Sequence, residues 1–149
     1  MAITSAICNS FKQEILEAEH NFTASSGNTF NLALYDSDAT LNKSTTAYTT
    51  SEELATTGGY TAKGKALTSV TPTLDSDTAV CDFSNVSWTS ASFTARGCLI
   101  YNSSSISGLT SNAAVCAIDF GGDKTVSSGT FTIQFPTNDS SSAIIRITS

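Results

Sequence analysis

An antiparallel, mainly β sandwich with one N-terminal helix is the fold that this sequence predicts, and three observations carry that expectation. Ser and Thr make up about a third of the 149 residues while charged residues are 13%; Thr with the β-branched apolar residues favours strands, and Ser, Gly and Asn favour turns. Apolar residues alternate with polar ones over short runs: Phe131, Ile133 and Phe135 share one parity and Thr130, Thr132 and Gln134 the other, the pattern of a half-buried antiparallel strand. Only one segment, residues 4–22, repeats with helical period. The length fits a single domain spanning 1–149, whose folding removes roughly 70% of the unfolded chain's surface from water. Residues 1–27 are expected to hold the helix and its exit loop, and 28–149 a sandwich of jelly-roll or Ig-like kind.

In that amphipathic helix Ile7, Phe11, Ile15, Ala18 and Phe22 form one stripe, with Thr4 or Ser5 as cap and Asn21 to Gly27 as exit. The stripe suits core cover or docking on a partner. Asn28 to Tyr35 reads as the first strand, and Asp36-Ser-Asp38 as an Asx-turn rather than a calcium loop. Thr50-Ser-Glu-Glu53 has the form of a capping box opening a short helical turn in a Thr-rich segment long enough to lie over the sandwich or touch a neighbour. Strands follow over Tyr60 to Leu74, with Pro72 at an edge. Ala79, Cys81 and Phe83 share one parity but Val86 and Trp88 the other, which predicts a bulge or bend near Ser84-Asn85. Trp88 belongs in the core with its indole N–H seeking one acceptor.

Next come a turn at Thr89-Ser-Ala91, a strand over Phe93 to Tyr101, a loop over Ser103 to Asn112 and a strand over Ala114 to Phe120. A turn from Gly121 to Gly129 and a strand over Thr130 to Phe135 complete this block. Gly97 to Tyr101 and Ala114 to Ala117 are apolar on both faces, as in central strands covered twice or strands buried against another chain. Ala143 to Ile147 reads as a terminal strand.

A formal charge of −6 with seven scattered cations argues against nucleic-acid binding, which needs clustered Lys and Arg. No stretch has the roughly 20 apolar residues of a spanning helix and no secretory leader is recognisable, so no membrane role and synthesis in a cytoplasm are expected. Cys8, Cys81, Cys98 and Cys116 lack metal-ligand spacing and read as buried thiols, with one disulfide between neighbouring strands as the alternative. The only histidine, His20, reads as a surface helical residue, with no nucleophile elbow to serve. Asp82, Asp119 and Asp123 are the carboxylates available for paired acid–base work. No cofactor, metal or catalytic set is expected.

The blocks Ala-Ile-Thr-Ser-Ala-Ile-Cys-Asn-Ser-Phe-Lys-Gln-Glu-Ile-Leu16, Phe93-Thr-Ala-Arg-Gly-Cys-Leu-Ile-Tyr-Asn102 and Asp119-Phe-Gly-Gly-Asp-Lys-Thr-Val-Ser-Ser-Gly-Thr-Phe-Thr-Ile-Gln-Phe-Pro-Thr-Asn138 resemble a family of small virion structural proteins of tailed bacteriophages. The chain is similar to the capsid cement, or decoration, proteins of that group. The resemblance implies a homotrimer on the outer head surface, made in the host cytoplasm, that ties major capsid protein subunits together and carries no catalytic residue. A tail- or neck-associated module, structural or receptor-binding, is the alternative. Candidate partner-contact residues are Ile3, Ile7, Phe11 and Ile15 near the N-terminus, with Tyr48, Tyr60 and Tyr101.

Overall fold

The computed structural model describes residues 2–149. It is mainly β, with two antiparallel sheets and one short N-terminal helix, the composition of a β-sandwich. The larger sheet is built around a long hairpin of β6 (Val86–Asn102) and β7 (Ala114–Ile133). β2 (Phe30–Tyr35) and β3 (Lys65–Ala66) extend it past β6, and β1 (Ala6–Ile7) pairs outside β7, giving the order β1-β7-β6-β2-β3. The smaller sheet has the order β4-β5-β8, from Ser69–Asp75, Thr78–Phe83 and Ile145–Ile147.

The N-terminal helix is shorter than its apolar spacing predicts. α1 spans Asn9–Leu16, and Ile7 belongs instead to β1, where Ala6 and Ile7 pair with Ala117 and Cys116. Sheet pairing requires extended backbone up to Cys8, which occupies the N-cap position without a side-chain cap, so neither Thr4 nor Ser5 fills that role. Ala18 adopts a left-handed φ of 60° just beyond the helix, and of the expected stripe only Phe11 is buried within α1.

Two expected turns, Thr89-Ser-Ala91 and Gly121 to Gly129, lie inside strands as three irregularities. Gly97 pairs with Asp119 and Ala95 with Lys124, so Phe120 to Asp123 bulge from a continuous β7. Gly121 takes φ 75° there, the left-handed conformation that glycine reaches without a Cβ penalty. A second irregularity at Ser127-Ser128, with Ser128 at φ 48°, and a third at Thr89-Ser90, with Ser90 at φ 50°, occupy the other positions where turns are expected. The phase change after Phe83 is a crossover: β5 ends in the small sheet, Ser84-Asn85 link it, and β6 begins in the large one. Pro72 lies on the edge strand β4, inside its register shift between Val70 and Thr73, where no ladder donor is required.

Gly97 to Tyr101 and Ala114 to Ala117 are central strands buried entirely within the monomer. β2 flanks β6, Phe22, Phe30 and Phe83 pack ring to ring between the sheets, and the Thr-rich segment covers further surface by stacking Tyr48 on Tyr101 at 4.8 Å. No second chain is needed to cover these strands. Trp88 is buried as expected, but its indole N–H has no acceptor among the described residues; the Lys65 ammonium sits 5.5 Å from the ring centroid.

Candidate functional site

The seven candidate contact residues point mostly inward. Ile3, Phe11, Tyr60 and Tyr101 are buried in the core, and Ile7, Ile15 and Tyr48 pack against it half-buried. The three tyrosines converge with Tyr35 on the Thr-rich segment. Glu53 Oε1 accepts from Tyr60 O–H at 2.7 Å and from the Lys63 N–H, while Oε2 accepts from Tyr48 O–H. Tyr101 donates to the Lys63 carbonyl at 2.7 Å, and Tyr35 to the Thr49 carbonyl at 2.7 Å. Burial first, and then the Glu53 carboxylate, push the Tyr48 and Tyr60 phenols well above their ordinary range. These rings pin a loop and leave little face or hydroxyl for an outside partner. Glu53 therefore serves a side-chain node, and the capping-box helix is replaced by a turn at Ser51-Glu52, after which Glu53 bridges to Tyr35.

His20 is buried, which corrects its reading as a surface residue. It lies beyond the end of α1, between Phe11 and Phe30. Asn102 Oδ1 accepts from Ser104 N–H at 3.0 Å, so its Nδ2 donates to His20 Nδ1 and to Asn28 Oδ1, both at 3.0 Å. That leaves Nε2–H to donate to Glu14 Oε2 at 2.8 Å. Both ring nitrogens are occupied, so His20 has no free lone pair with which to activate a nucleophile.

All four cysteines are free and buried. Burial raises the Cys8 thiol to about 11 and the Cys81 and Cys116 thiols to about 12, and puts Cys98 well above its ordinary value. Such thiols remain protonated and inert. Asp119 and Asp123 meet at Arg96, at 3.2 and 3.4 Å. Asp82 stands apart in the small sheet, accepting from the Phe83 and Ile144 N–H groups at 2.8 and 3.3 Å. Burial raises its pKa despite those bonds. Asp36, Asp38 and Glu52 gather in one exposed cluster, where Asp36 Oδ1 accepts from Asp38 N–H at 2.9 Å, the expected Asx-turn.

The open surface lies farther along the hairpin. An apolar groove of about 540 Å³ runs between β7 and the C-terminal segment, lined by Ile118, Phe120, Phe131, Ile133, Phe135 and Ile144. Each of these six is half-buried. The exposed Lys124 is the single charged residue lining it and, among the described residues, makes no salt bridge. The Phe131 and Ile133 alternation was legible in the sequence. Phe120 was legible as the end of a strand but not as a groove residue, and Lys124 was not, because its segment reads as part of a turn. Comparison with protein-family models, with curated proteins and with solved structures finds no match.

Proposed function

We propose that the chain is a structural component of a tailed-phage virion, a capsid cement or decoration protein. It binds the outer head surface, stabilises the major capsid protein lattice and catalyses no reaction. In this reading it is made in the host cytoplasm, assembles with itself, as a homotrimer by the family resemblance, and engages neither nucleic acid nor membrane. The observation that carries the reading is the apolar groove beside β7. Its six apolar lining residues and lone cation suit burial against protein. Glu53 and His20 are tied into internal contacts. A charge of −6 suits an outer surface better than one facing packaged DNA.

Burying such a groove, against a sister subunit or a capsid protein, releases about 25 cal/mol per Å² of apolar surface. Several modest contacts on one lattice then add through avidity. Heads assembled without the protein, heated with and without it added back, test the role. Added protein is expected to raise the temperature of genome loss, and equal loss in both samples counts against the proposal. Copy number separates it from a tail- or neck-associated component: hundreds per virion fit a head lattice, a dozen or fewer a tail.

A further inference from the structure

We propose that the β7 groove is a self-association site, filled head-to-tail by the β4–β5 hairpin tip of a second copy of this chain. The tip carries what the groove lacks. The register Leu74↔Ala79 and Ala79↔Ile147 sets these three side chains in one row across the small sheet. Leu74 is 76% exposed and Ile147 58%, an unusual display for large aliphatic side chains. None of the three lines the groove of its own chain, so each copy presents two separate apolar surfaces.

Charge gives the pairing its direction. Asp77, exposed in the turn after Leu74, has no cationic partner among the described residues, and neither has Lys124 an anionic one. The nearby Arg96 already holds Asp119 and Asp123. Seating the Leu74 row on Phe120 and Phe131 brings an unpaired carboxylate to an unpaired ammonium in a site being drained of water, where the attraction is strongest. A plain strand-to-strand addition fits less well. The outer edge of β7 is broken by bulges at Phe120 to Asp123 and at Ser127-Ser128, and Pro72 removes a donor from β4. Side chains rather than backbone ladders make the contact. Because groove and tip differ, the interface is heterologous and builds a ring when the rotation closes.

The inference goes beyond the lattice reading and needs no capsid. Light scattering on the size-fractionated full chain tests it, with Leu74→Asp, Phe120→Asp and Lys124→Asp checked for unchanged folding by circular dichroism. The wild type is expected to self-associate, and each variant to weaken association at least about tenfold. An equimolar mixture of the Leu74→Asp and Phe120→Asp chains should stop at a heterodimer, because one contact survives between them. Adding Asp77→Lys to Lys124→Asp should restore assembly by exchanging the charges. A monomeric wild type, association indifferent to Leu74→Asp, or folded variants that do not pair would each overturn it. A monomer that still binds heads sinks the self-contact and the homotrimer with it but leaves the lattice role standing, whereas an oligomer that ignores heads sinks the lattice role alone.

Discussion

Glu53 places both carboxylate oxygens against neighbours far along the Thr-rich segment, and its removal orphans the Tyr48 and Tyr60 hydroxyls and the Lys63 N–H together. An unpaired, partly buried donor costs about 1–3 kcal/mol, so Glu53→Ala should lower stability by about 3 kcal/mol in urea denaturation. Glu17→Ala, at the exposed C-cap of α1, should stay within about 0.5 kcal/mol; similar losses in both variants would refute the node. Two aspartates should act oppositely on acid stability. Hydrogen bonding to Ser140 holds Asp75 below its ordinary 3.8, so its stabilisation is present above that value and fades as pH falls through the lowered pKa. Burial holds Asp82 above 3.8, so the folded state keeps its proton longer than the unfolded chain does. The Asp82 contribution is therefore most favourable below 3.8 and declines as pH rises through the raised pKa. Relative to wild type, Asp82→Asn should gain stability as pH increases from about 3 to 6, and Asp75→Asn should lose it. Parallel pH profiles for the two variants would contradict this assignment.

At the level of elements, β6 and β7 change character along their length. Cys98 to Tyr101 and Ala114 to Ala117 lie under both neighbouring strands and the covering loop, whereas Val86 to Ala95 and Lys124 to Ile133 form a bulged ribbon half open to water. Amide hydrogen exchange should follow that division, with the inner segment protected on the order of a hundredfold more than the ribbon around Thr94 and Thr125; uniform protection would mean that the ribbon is as rigid as the core. The same contrast explains what the sequence disclosed. Strict alternation at Phe131 to Phe135 and the doubly apolar run at Cys98 to Tyr101 report local burial, which a period reveals. Gly121-Gly-Asp123, Ser127-Ser128 and Thr89-Ser90 report positive φ, and a bulge and a reversal share that chemistry. Only the pairing partner tells them apart. The helix was overdrawn for a related reason: Ile7, Phe11 and Ile15 keep a four-residue spacing, but β7 recruits Ile7 into a ladder. Tyr48, Tyr60 and Tyr101 were legible as special residues, yet the internal acceptors that occupy them lie up to 38 positions away.

For the molecule as a whole, the closing element is the weakest seam. β8 contributes three pairings to β5, Ile145 with Cys81, Arg146 with Val80 and Ile147 with Ala79. Just before it, Ala143 is buried and the Ile144 N–H meets the Asp82 carboxylate. Deleting residues 143–149 would strip one side of β5, whose Val80, Cys81 and Phe83 are otherwise buried. It would also leave Asp82 with one fewer donor and the β7 groove without its Ile144 wall. The new edge is six residues of strand-forming sequence, Thr78–Phe83, carrying one acidic residue, and an edge of that kind recruits other chains. The truncated protein should therefore scatter light increasingly at concentrations of about 10–50 µM at which the full chain stays clear. Removing only Thr148 and Ser149, which lie beyond the β5 pairing, should have no such effect. If the longer truncation remains clear and keeps its thermal transition, β8 does not seal the small sheet. If it aggregates while the shorter one does not, the three β8 pairings, and not the exposed tail, hold the sandwich shut.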